Sequence, residues 1–172
     1  MILGLDISTS IVGVCVYDDK KEKIVKTDYI DLRKVSGFLH KAKAVEDYIN
    51  KHLKDQKIDY IFIEEALMFF RRGGSTAKTM AVLQRFNGIV SWLCFKVLQI
   101  EPRYITPISA RSRCGIKVPR GKKAKEVVME HFIESQEFEI QYTRYGNVQK
   151  YCYDIADAVV IAKAASKIML DT

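Results

Sequence analysis

Three apolar, β-branched stretches follow one another in the first thirty residues, with only turns between them. They are 2–7 (ILGLDI), 11–17 (IVGVCVY) and 23–30 (KIVKTDYI), the last set off by the charged turn DDKKE. Tight turns join neighbouring strands antiparallel, so the chain opens as a meander. The period then changes. In 34–54, Phe38, Ala42, Val45, Ile49 and His52 or Leu53 recur at steps of three and four, one face of a helix. Residues 58–64 (IDYIFIE) form a buried strand, RRGGS a loop, and Ser75 or Thr76 a cap for a helix over 76–98. A short strand, 103–106 (RYIT), leads into Pro107. Another helix opens at KEVVMEHF, and a last one spans 152–168, with Ile155, Ala158, Val159, Ala162 and Ala165 on its inner side. The order β-β-β-α-β-α-β-α-α predicts an α/β fold with a mixed five-stranded sheet flanked by helices. With no repeat or linker, the 172 residues are expected to form one domain.

The 76–98 helix is apolar on most of its surface. Met80, Leu83, Phe86, Val90, Leu93 and Val97 make one stripe, and Val82, Ile89, Trp92 and Phe95 fall outside it. Such a helix must be covered on more than one side, by neighbouring elements or by a second copy in a homodimer. Residues 135–150 are polar and Tyr-rich, as befits a surface loop or lid.

Four acids stand on three apolar elements, each near an element end. Asp6 closes the first strand and Glu64 the fourth. Glu65, one residue on, points to the opposite face. Asp154 and Asp157, three apart in YDIADAVVIAKAA, share one helical face. A helix N-terminus tolerates acids, and so does a bound cation. Taken together, the four suit a hard ion such as Mg²⁺, which takes oxygen ligands. Two such ions support phosphodiester hydrolysis. Histidine or thiolate clusters, which would suit softer metals, are absent. The four cysteines (Cys15, Cys94, Cys114, Cys152) form no CxxC pair, against a zinc site or a disulfide framework and in favour of a reducing compartment. The net charge of +7 suits a polyanionic partner. No secretory signal and no membrane span is expected.

MILGLDISTSIVGVCVY, YIFIEEALMFF and YDIADAVVIAKAA resemble, in order and context, the three catalytic motifs of the RuvC Holliday-junction resolvases. The likeness extends over nearly the whole chain. It implies an RNase H-like fold, a homodimer, and an endonuclease that resolves four-way DNA junctions by paired nicks. It further implies two Mg²⁺ ions per active site, with Mn²⁺ as a substitute, held by Asp6, Glu64, Asp154 and Asp157. KEVV is similar to the family's Lys-x-x-Val, which makes Lys125 the active-site lysine, and Arg111 lies near a second family lysine. Such an enzyme belongs in the cytoplasm or another reducing, DNA-containing compartment and is not secreted. Ile7-Ser8-Thr9 replaces the family's usual Pro-Gly-Ser, the aromatic wedge falls near Leu67 with Met68, Phe69 and Phe70 just beyond, and 135–150 is longer than typical. These features resemble phage or other mobile-element members.

Arg71 and Arg72, beside Gly73 and Gly74, are candidate phosphate clamps, since glycines let backbone approach a phosphate closely. Lys122, Lys123, Arg111 and Phe69 complete the candidate DNA contacts. Phosphate contacts supply affinity without sequence information. The same fold also serves nucleases acting on flaps, forks or RNA–DNA hybrids, so that alternative stays open.

Overall fold

The computed structural model describes residues 1–65 and 76–171. Strands β1 (Ile2–Ile7), β2 (Ile11–Asp18) and β3 (Lys23–Asp31) form the expected meander. β4 (Tyr60–Glu64) then pairs parallel to β1, and β5 (Arg103–Ile105) parallel to β4, giving the mixed order β3-β2-β1-β4-β5. The parallel crossovers are made by α1 (Phe38–His52) and α2 (Ala77–Leu98). The helices α3 (Pro107–Arg113), α4 (Ala124–Ser135) and α5 (Lys150–Leu170) follow.

The pleat divides the strands between two cores. Leu3, Leu5, Val12, Val14, Val16, Ile61 and Ile63 face α1 and α2. Ile2, Cys15, Tyr17 and Phe62 face α3, α4 and α5. Alternate residues on a strand point to opposite sides, so Gly4 and Asp6 share the face of Ile2, and Glu64 shares that of Phe62.

Helix α5 lies almost on the backbone of the sheet. A Cβ on Gly4 would stand 2.5 Å from the Ala158 carbonyl oxygen and 2.9 Å from the Ala162 Cβ. One on Gly13 would stand 2.0 Å from the Asp154 carbonyl oxygen. The two strand glycines and the alanines of α5 thus match, and the inner residues expected from the sequence are all buried.

Helix α3 was not expected from the sequence. The Thr106 hydroxyl caps it by accepting from the Ser109 backbone N–H at 3.2 Å, and Pro107 takes the first turn, where no N–H is needed. The strand-to-proline junction is therefore also a helix start. In α2 the stripe anchored by Phe86, Val90 and Leu93 is buried, whereas Trp92 and Phe95 are exposed. All four cysteines are free. Among the described residues, no helix is long and apolar enough to cross a membrane.

Candidate active site

The register places two carboxylates side by side. β1 and β4 run parallel with Leu5 opposite Ile63, so Asp6 and Glu64 are neighbours on the same face at the C-terminal ends of adjacent strands. Parallel neighbours are about 4.8 Å apart. On the other flank Asp6 pairs with Gly13, whose bare Cα admits the Asp154 turn of α5. The i, i+3 spacing then turns Asp154 and Asp157 to the sheet together. Their placement is not that of acids in a helix's first turn: α5 starts at Lys150, and its first turn holds no acid.

Lys125, in the first turn of α4, reaches across to this pair. Its Nζ lies 3.5 Å from Asp154 Oδ1 and 3.5 Å from Asp157 Oδ2. Asp6 is buried, and the Asp154 and Asp157 side chains are 16% and 13% exposed, so solvent screens the cluster poorly. Burial first, then the charges of Glu64 and Asp157, pushes the Asp6 carboxyl well above the usual carboxylate range. Burial and Asp157 push Glu64 up to about 7. Burial also raises Asp154 and Asp157, against the pull of Lys125. For Lys125 burial opposes the charge, but Asp6, Asp157 and Asp154 outweigh it and hold the ammonium above its ordinary value. Arg111 is near enough to favour the ionised forms of Glu64 and Asp157.

These charges make a test in solution. A group whose value is raised on folding stabilises the fold fully below its unfolded value and loses that contribution as pH rises through the folded one. For Glu64 the window runs from 4.5 to about 7. Without divalent ions, the melting temperature should fall across it, and Glu64→Gln should flatten the fall. A wild-type profile that matches the variant's would contradict the arrangement.

The structure thus brings Asp6, Glu64, Asp154, Asp157, Lys125 and Arg111 together. Lys122 and Lys123 are exposed just before α4, and Lys123 is paired with Glu126 at 3.2 Å. Phe69, Arg71 and Arg72 lie outside the described residues. Among the described residues, no three acid, histidine or cysteine side chains are gathered tightly enough to enclose a metal ion as they stand.

Two positioning residues escaped the sequence reading. Gly13 carried a signal, since an isolated glycine within a strand marks a close backbone approach. Asn87 is a buried polar residue on α2 whose Nδ2 donates to the Glu64 carbonyl oxygen at 3.1 Å, tying α2 to the end of β4. Its signal was a polar residue beside the apolar stripe, whose partner only the fold identifies.

A mixed sheet in this order, with helices on both faces and acids at the ends of its two central parallel strands, is an RNase H-like fold. More particularly, the chain has the fold of RuvC. It is similar to Thermus thermophilus RuvC in complex with a Holliday junction substrate, at 15% identity and a TM-score of 0.69, over 98% of this chain and 94% of that one. A second Thermus thermophilus RuvC structure gives 16% identity and a TM-score of 0.64, over 99% and 96%. The yeast mitochondrial Holliday junction resolvase gives 14% and 0.62, over 96% of this chain and 77% of that one. No protein-family model and no curated protein matches the sequence.

Proposed function

We propose that the chain is a single-domain, divalent-cation-dependent endonuclease that resolves four-way DNA junctions by paired nicks. The observation that carries this reading is the convergence of Asp6, Glu64, Asp154 and Asp157 around Lys125 on a RuvC-like fold. The donor set fits Mg²⁺. It is all oxygen, poorly screened, and carries more negative charge than the one ammonium between Asp154 and Asp157 offsets. Asp6 and Glu64 would hold a cation from the sheet, and Asp154 and Asp157 from the helix. Such ions, when bound, activate water and stabilise the leaving oxygen. Asn87 and Gly13 hold the sheet and helix carboxylates in register. Lys125 and Arg111 supply positive charge for the phosphate that enters.

Paired nicks call for two active sites, and the outer face of α2 suits a second copy. Ala81, Arg85, Gly88, Trp92 and Phe95 alternate at steps of four and three along it, the spacing of a helix–helix seam, and all are exposed. Gly88 has open space where its Cβ would be. A glycine in an exposed helix interior costs about 1 kcal/mol relative to alanine, which a close helix–helix approach explains. Phe86 and Val90 are wholly buried in the protomer's own core, so they do not probe this contact. Trp92→Glu with Phe95→Glu should instead give a folded monomer by sedimentation that makes unpaired nicks. A variant still dimeric at micromolar concentration would place the interface elsewhere.

The functional reading is tested by incubating the protein in Mg²⁺ with synthetic four-way, forked, flapped, hybrid and linear substrates. Symmetric paired nicks in the four-way junction are expected. Faster cutting of flaps, forks or hybrids would assign the same site to another substrate, and no cutting of any would overturn it.

A further inference from the structure

The segment between α4 and α5, residues 136–149, is a built hairpin. Tyr142 and Val148 form an antiparallel bridge. The Thr143 N–H donates to the Asn147 carbonyl at 2.7 Å, and the Gly146 N–H to the Thr143 carbonyl at 2.9 Å. The Thr143 hydroxyl oxygen accepts from the N–H groups of Tyr145 at 3.3 Å and Asn147 at 3.2 Å. Gly146, at φ +80°, makes the reversal that L side chains rarely allow.

The hairpin is rooted at the active-site end of α5. The Gln149 N–H donates to the Gln141 carbonyl at 2.8 Å, and the Gln141 N–H to the Cys152 sulfur at 3.4 Å. Asp154 follows Lys150 by four residues, about 6 Å of helix rise. The tip, however, adds nothing to the core. Tyr145 is 74% exposed and Tyr142 51%. The Arg144 guanidinium lies 4.6 Å from the centre of the Tyr145 ring and donates to its hydroxyl. A tightly bonded turn, rooted at the same end of α5 as Asp154, therefore presents an aromatic face and a cation to solvent.

We propose that Tyr145, with Arg144 against it, stacks on a nucleobase whose face is left unstacked at a branch point near the cleavage site. This rests on the nuclease reading above. Every base has a π-face that an aromatic ring can stack on, and arginine adds cation–π attraction and charge for the backbone. Bases within a duplex hide those faces in their own stack, so the tip engages DNA only where stacking is interrupted, as at a branch point or an unpaired end. The net charge of +7 favours a polyanion over an acidic-poor protein surface as the occupant. The hairpin thereby confers preference for branch points without reading sequence.

The test uses the full chain without divalent ions, so that nothing is cut, and branched DNA carrying 2-aminopurine at the unpaired or branch-point positions. Wild type should alter the fluorescence at one such position, Tyr145→Phe should preserve the change, and Tyr145→Ala should abolish it. Affinity for branched DNA should fall about tenfold in Tyr145→Ala, and severalfold in Arg144→Ala, with linear duplex affinity unmoved. Circular dichroism on each variant checks folding; both side chains are exposed, so the fold should hold. Wild-type fluorescence and affinity in Tyr145→Ala would overturn the hairpin's role and leave the nuclease reading standing. A wild type that does not prefer branched DNA would overturn both.

Discussion

Asp157→Asn should yield a protein that folds, melts no lower than wild type without divalent ions, binds DNA, and cuts none of it. Asp157 is poorly exposed and sits with Asp154, Asp6 and Glu64 around a single ammonium. Burial and like charge both oppose its ionised form, so an uncharged isostere removes an unfavourable interaction. Asp154 keeps Lys125 in place through its own 3.5 Å contact. The same change deletes an anionic oxygen from the proposed cation site. Loss of several kcal/mol of transition-state stabilisation lowers the rate about a thousandfold or more. Melting temperature, DNA affinity and nicking rate, measured on one preparation, give a pattern that a merely structural acid does not. A structural acid predicts lower stability with nicking intact, and nicking near the wild-type rate would remove Asp157 from the site.

Gly13→Ala should have the second largest effect, although residue 13 carries no chemistry. The added Cβ would stand 2.0 Å from the Asp154 carbonyl oxygen and 3.1 Å from the Ile155 nitrogen. Those are backbone atoms of a helix, which cannot turn aside as a flexible side chain can. Either α5 lifts from the sheet or β2 bows away. Overpacking of this kind costs about 1–3 kcal/mol. More telling is the direction of the displacement, which parts Asp154 and Asp157 from Asp6, the residue paired with Gly13. A misplacement of about 1 Å at a reacting centre costs about a hundredfold in rate. Cleavage should therefore fall about that much, with DNA affinity close to wild type. Ile49→Val, in the core under the opposite face of the sheet, is the comparison: it should lower the melting temperature with little change in nicking. Equal losses of activity in the two variants would reduce Gly13 to a packing residue.

Much of this was legible in the chain. The three-strand opening, the helix periods and the inner face of α5 follow from local alternation of apolar residues, which the sheet and helix periods fix directly. The acids stood out because each interrupts an apolar segment, and the structure does gather Asp6, Glu64, Asp154 and Asp157 at one end of the sheet. What local pattern could not convey was the outcome of packing between distant segments. The 3.1 Å bond from Asn87 to Glu64 spans 23 residues, and the contact of Gly13 with Asp154 spans more of the chain still. Helix α3 is short enough that a threonine cap and a proline, each also usual at a strand end, leave its start ambiguous. Which face of α2 lies outward depended on where the sheet met it. Phe86 and Val90 turned inward, and Trp92 and Phe95 were left exposed.

Whether the four carboxylates hold divalent cations is read from anomalous X-ray scattering by crystals of the wild-type protein and Asp6→Asn grown with Mn²⁺ and an uncleavable junction. Mn²⁺ peaks are expected in wild type between the strand carboxylates, Asp6 and Glu64, and the helix carboxylates, Asp154 and Asp157, weakened or lost in the variant. Junction DNA bound with its phosphate beside Lys125 and no Mn²⁺ against any of the four would contradict the proposed cation site.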